Sequence, residues 1–137
     1  MNTITIEQLE NAIEWYSKRF NIQFLYSEIY ALYPKNNEYG WPNTWPNNLK
    51  AGIYALLDAN YNVVYIGKAQ CLGARLTHYF KYGNSNECVL NDDRVKDIFF
   101  IKNYATKDDE KYACLSLEEY LISTLNPVYN TRSRTDW

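Results

Sequence analysis

No stretch of this chain approaches the ~20 consecutive apolar residues of a membrane span, and its opening, MNTITIEQLENAIEW, lacks the basic-then-apolar pattern of a secretion signal. A soluble, cytoplasmic protein with no membrane partner is expected. Cysteine is scarce: Cys71, Cys88 and Cys114 are an odd number without a CxxC spacing, which argues against a disulfide framework and a zinc site. They read as small buried hydrophobes. A positive excess is missing too. Fourteen Lys+Arg against sixteen Asp+Glu give a net charge of -2, so no global field attracts nucleic acid, and any polyanion site has to be local. Neither a zinc finger nor a helix-turn-helix signature is present.

What is present suits one globular domain. The 137 residues are 47% hydrophobic and 22% charged, which excludes a disordered or collagen-like chain. Charge is uneven: Tyr61 to Asn86 holds no acidic residue, while Lys68, Arg75 and Lys81 lie within it and Arg132 and Arg134 add a basic tail. The run Asp108, Asp109, Glu110 reads as a helix start, where carboxylates meet free N–H groups. Aromatics reach 17%, fourteen of them tyrosine.

Thr5-Ile6-Glu7-Gln8 has capping-box spacing, and Ile6, Leu9, Ile13, Tyr16 and Phe20 predict an amphipathic helix to about Phe20. Residues 22–33 predict a second, shorter helix ending before Pro34. PKNNEYGWPNTWPNN, from Pro34 to Asn48, is loop chemistry in which Trp41 and Trp45 are expected to anchor to a core. Residues 52–57 and 63–66 read as an antiparallel hairpin, 71–80 as a helix, 81–93 as a polar loop and 98–101 as a buried strand. Thr106 followed by Asp109 resembles a capping box opening a last helix to about Leu125, stopped by Pro127. The expected fold is α/β (α+β): a small central antiparallel three-stranded sheet flanked by helices, with residues 1–50 as a helical extension and Trp-Pro-Asn loop packed on a core of 51–137.

Some residues fit a purely structural account poorly. Glu118 shares the helical stripe of Leu121, Ile122 and Leu125, where a carboxylate is costly without a partner. Arg75 sits between Leu72 and Leu76, and Arg75 and Tyr79, four apart, project from one helix face. Lys68 follows Gly67, where backbone can approach a ligand closely.

The ordered set Gly52-Ile53-Tyr54, Tyr65-Ile66-Gly67, Lys68, Arg75, Tyr79, Glu118 and Asn130 resembles the GIY-YIG nuclease superfamily. YIGKAQCLGARLTHYF (65–80) and LSLEEYLISTLNPVYN (115–130) look like the N-terminal incision domain of the bacterial excision-repair nuclease. The resemblance spans about residues 51–132 and does not reach the first fifty.

It implies a metal-dependent endonuclease hydrolysing DNA, one strand per active site. Glu118 would hold one Mg²⁺ or Mn²⁺, since a single carboxylate argues against a two-metal site. Arg75 would face the scissile phosphate. Tyr54 would serve as general base with Tyr65 orienting it, or the reverse, helped by Lys68 or the metal because phenols ionise only near ~10. Tyr79 would hydrogen-bond the water or phosphate, and Asn130 would tie the last loop to the site. Many relatives carry histidine where Tyr79 stands. His78 falls one residue early, about 100° round the helix, and reads as a surface residue. Gly52 and Gly67 shape the backbone, and Lys81 and Arg132 are candidate phosphate contacts. A catalytically inactive nucleic-acid-binding or protein-interaction module and an RNA-cleaving enzyme are the alternatives. Residues 1–50, with four basic against five acidic groups, are no electrostatic DNA clamp, and they could serve a homodimer or a protein partner.

Overall fold

The computed structural model describes residues 3–130. Helix α1 (Ile6–Phe20) opens with the expected capping box: the Gln8 N–H donates to the Thr5 hydroxyl at 3.0 Å, and the Thr5 N–H donates to the Gln8 side chain at 2.9 Å. Asn21, left-handed at φ 55°, ends the helix.

Residues 22–33 depart from the predicted second helix. They form two short strands, β1 (Phe24–Tyr26) and β2 (Tyr30–Ala31), both antiparallel to β7 (Phe100–Thr106). The apolar spacing of this stretch also suits a helix. The unpaired side of β7 decides the matter, because its N–H and C=O groups need partners within the fold.

Strands β3 (Gly52–Leu57) and β4 (Val63–Ala69) are the expected hairpin, and β7 pairs with the other side of β3. The antiparallel order β4-β3-β7 is therefore the three-stranded centre, extended beyond β7 by β1 and β2. Strand β7 runs on to Thr106, so no capping box forms there. A 3₁₀ turn at Asp108–Glu110 comes first, and α3 (Ala113–Leu125) starts without a side-chain cap. Helix α2 (Leu72–Tyr79) leads into a hairpin of β5 (Phe80–Tyr82) and β6 (Cys88–Leu90), where a plain loop was expected. Strands of three residues carry too little alternation to show in sequence.

Every residue of β3 is buried, and its alternation feeds two cores. Ile53, Ala55 and Leu57 pack with Leu9, Ile13, Leu117 and Leu121 of α1 and α3. Tyr54 and Leu56 belong to the opposite core, with Leu72, Leu76, Phe80 and Trp41. Trp41 donates its indole N–H to the Asn86 carbonyl at 2.8 Å, and Trp45 donates to the Thr77 hydroxyl at 3.2 Å, so both anchor the loop. Cys88 and Cys114 are buried and Cys71 is half-buried. Among the described residues no helix is long and apolar enough to cross a membrane.

Candidate active site

Tyr54 stands opposite Gly67 in the β3–β4 register, and a side chain at Gly67 would land on the Tyr54 ring. The glycine is therefore the space that the phenol occupies. Gly52 is confined differently: a Cβ there would press on the Tyr104 carbonyl and the Ala105 backbone. The Tyr54 hydroxyl lies 3.0 Å from that of Tyr79 on α2, and the Tyr54 and Tyr65 rings are 6.1 Å apart. Tyr54 is fully buried, whereas Tyr65 and Tyr79 are half-buried.

Burial, followed by the neighbouring Tyr65 and Tyr79, holds the Tyr54 phenol far above its ordinary range, with Arg75 opposing. Tyr65 is pushed up to about 12, again chiefly by burial, with Tyr79 and Glu118 adding to it. Both are neutral hydrogen-bonding groups at ordinary pH. Tyr65 is the one that reaches a cavity, and Tyr54 sits behind it.

Lys68 and Ile66 lie two apart on β4, and Lys68 pairs with Ile53, so its side chain rises towards α3. There its ammonium meets the Glu118 carboxylate at 2.9 Å. This is the partner that Glu118, with a side chain only 12% exposed, requires on an otherwise apolar stripe. Lys68, or else the metal, was expected to assist a tyrosine; here its ammonium is paired with the Glu118 carboxylate. Among the described residues only Oε1 of Glu118 is hydrogen-bonded.

Arg75 is exposed on α2 and makes no ion pair among the described residues. Burial works to lower its pKa, but Tyr54 and Tyr79 together outweigh that and raise it. The cleft in front of it, about 520 Å³, is lined by Lys68, Arg75, His78 and Lys111 and, among the described residues, by no carboxylate. Lys68 also borders the groove beside Glu118, so one side chain joins the two.

Asn130 is buried and acts on backbone. The Ile66 N–H donates to its Oδ1, and its amide donates to the Ile66 carbonyl, each at 2.8 Å. The turn after α3 is thereby fastened to β4 between Tyr65 and Gly67. Lys81 is exposed on the β5–β6 hairpin, and Arg132 lies outside the described residues.

Three residues were missed or underrated in sequence. His78, read as plain surface, lines the Arg75 cleft, and so does Lys111, which sits in an acidic run that masks it. Arg94 lies across a second cavity from Tyr65 and Tyr79, and both phenols help raise its pKa, after the larger influence of Asp92. No spacing in the 81–98 segment marked it.

A family model described as the UvrC-like GIY-YIG domain matches residues 50–131. The UvrABC system protein C of Alcanivorax borkumensis is 39% identical over 88 residues, 64% of this chain and 14% of that protein. That of Rickettsia prowazekii is 33% identical over 86 residues, 63% of this chain and 13% of that protein. That of Helicobacter pylori is 34% identical over 93 residues, 63% of this chain and 15% of that protein. The chain thus spans about a seventh of the length of these curated relatives, and the matched part holds every site residue described above except those beyond position 131.

Proposed function

The chain belongs to the UvrC-like GIY-YIG domain family, and from that premise we propose that it is a metal-dependent endonuclease hydrolysing phosphodiester bonds in DNA, one strand per active site. One observation carries the reading. Arg75 and Lys68 line one cleft that holds no carboxylate among the described residues, Lys68 also borders the adjoining groove where it meets Glu118 at 2.9 Å, and Tyr79, one turn after Arg75 on α2, meets the buried Tyr54 hydroxyl at 3.0 Å.

Arg75 offers a planar fork to the scissile phosphate and stabilises the charge that builds on its oxygens. Tyr65 orients the attacking water, and the buried Tyr54 fixes Tyr79 through their hydroxyl contact. With its pKa raised, Tyr65 takes a proton from that water only when a cation lies beside it. Lys111 holds the strand in the cleft by charge, and His78 lines the same cleft beside it.

Glu118 suits one hard divalent cation. Among the described residues no group of three His, Cys, Asp or Glu could cage a metal, and Mg²⁺ needs no such cage: it keeps several waters and takes one or two carboxylates with phosphate oxygens. Glu118 would hold Mg²⁺ or Mn²⁺ through the carboxylate that Lys68 orients, and the ion supplies Lewis-acid stabilisation of the phosphate and the leaving oxygen.

Supercoiled plasmid incubated with Mg²⁺ tests this directly. Nicked circles from the wild type and from neither Glu118→Ala nor Arg75→Ala support hydrolysis at this site. Intact plasmid with retained DNA binding supports a non-hydrolytic module of the same fold, and digestion of RNA in place of DNA supports an RNA-cleaving enzyme.

A further inference from the structure

A second cavity, about 390 Å³, is bordered by two of the site tyrosines, Tyr65 and Tyr79. Tyr65, Tyr79 and Tyr129 give it aromatic walls, Leu56 an apolar floor, and Arg94 and Asp97 a polar rim. Its chemistry differs from that of the Arg75 cleft. That cleft has, among the described residues, basic side chains and no carboxylate, as a phosphate requires; in this cavity Asp93 and Asp97 offset Arg94 and Lys96, and their carboxylates accept hydrogen bonds from N–H edges. A flat, largely apolar ligand with a polar edge fits such a space, and its volume is that of a small-molecule site.

The two cavities meet on α2. Arg75 lines the first, and Tyr79, four residues or about 6 Å further along, lines the second. A phosphate at Arg75 and the base of the adjoining nucleotide span such a step. We infer that the cavity between Tyr65, Tyr79 and Tyr129 receives the nucleobase next to the scissile phosphate, so that the substrate carries an unpaired or extruded nucleotide at the cut. This rests on the proposed nuclease reading and narrows its substrate class. A base locked in a duplex stack cannot enter the cavity, and bases lacking a partner leave the stack at least cost. Tyr129 is the natural stacking surface. The residue is 42% exposed, its N–H donates to the Val64 carbonyl at 2.9 Å, and its hydroxyl donates to Asp97 at 3.1 Å, so the ring is held in place from both ends.

The test uses the full 137-residue chain as Glu118→Gln, without metal, mixed with oligonucleotides carrying 2-aminopurine at successive positions around the cut that the wild type makes. Binding is followed by anisotropy and base environment by 2-aminopurine emission. The expected result is an emission change confined to the position beside the scissile bond, and tighter binding when that nucleotide is unpaired. Tyr129→Ala abolishes the change and weakens binding by about fivefold or more, the low end for one stacked base. Tyr129→Phe keeps both, because it retains the ring and loses only the bond to Asp97. An equal emission change at every position, an unaltered Tyr129→Ala, or a Tyr129→Phe as deficient as Tyr129→Ala overturns the inference while leaving the nuclease reading intact. Absence of any DNA binding removes both.

Discussion

Lys68 holds Glu118 at 2.9 Å from across the seam between β4 and α3, fifty residues apart in sequence. The pair gives a carboxylate on an apolar stripe its compensation and fixes where a cation would be met. Replacing Glu118 with Ala should abolish nicking by more than the roughly 10–100-fold that loss of a group behind a metal ligand costs. Its effect on stability should be small, within about 1 kcal/mol, since the Lys68 end is 41% exposed. Nicking rates and urea midpoints measured side by side check this.

Arg75 is expected to be irreplaceable by lysine. A point charge cannot reproduce the two parallel N–H donors of a guanidinium, so Arg75→Lys and Arg75→Ala should both lower the cleavage rate, by about 10²–10³ for Ala. Neither should shift the melting temperature appreciably, because the side chain is exposed and makes no ion pair among the described residues.

Gly67→Ala puts a methyl group into the Tyr54 ring. Overpacking of this kind costs about 1–3 kcal/mol. The loss should be largely relieved by adding Tyr54→Ala, giving a non-additive double-mutant cycle in urea unfolding. Additive losses would mean that the ring can move aside.

The raised Tyr65 phenol makes stability fall at alkaline pH. Its folded pKa lies above the unfolded value near ~10, so the unfolded chain loses its proton first; the contribution is complete below pH ~10 and disappears as the pH climbs towards about 12. Tyr65→Phe should flatten the decline of unfolding free energy between about pH 10 and 12 relative to wild type. Tyr30 and Tyr104, also raised chiefly by burial, should maintain the rest of the slope.

Asn130→Asp keeps an acceptor for the Ile66 N–H but sets a carboxylate oxygen against the Ile66 carbonyl. It should destabilise the fold by about 1–3 kcal/mol at neutral pH. Part of that difference from wild type should vanish near pH 4, where the protonated acid can donate. Unfolding both proteins at the two pH values gives the comparison.

The tyrosine-bearing hairpin was legible because two apolar runs rich in β-branched and aromatic residues flank the polar turn Asp58 to Asn62, and Glu118 betrayed itself as a carboxylate on an apolar stripe. The partner of Glu118 was not legible: Lys68 looked like help for a phenol, and only the direction of β4 sends it to α3. Strands β1 and β2 were hidden because pairings of two or three residues are decided by the exposed side of β7 rather than by their own pattern. Arg94 and Lys111 reach their cavities by the course of irregular segments, which hydrophobic periodicity does not encode.

Strand β4 is the last in its sheet, and its outward N–H and C=O groups are a template on which another chain could aggregate. Asn130 occupies those of Ile66 with its side chain, and the Tyr129 backbone occupies the Val64 carbonyl. A foreign strand would have to evict both before it could add to the sheet. The turn that closes the described chain thus serves as a guard rail, keeping the border nearest the reactive groups from becoming a seed for self-association.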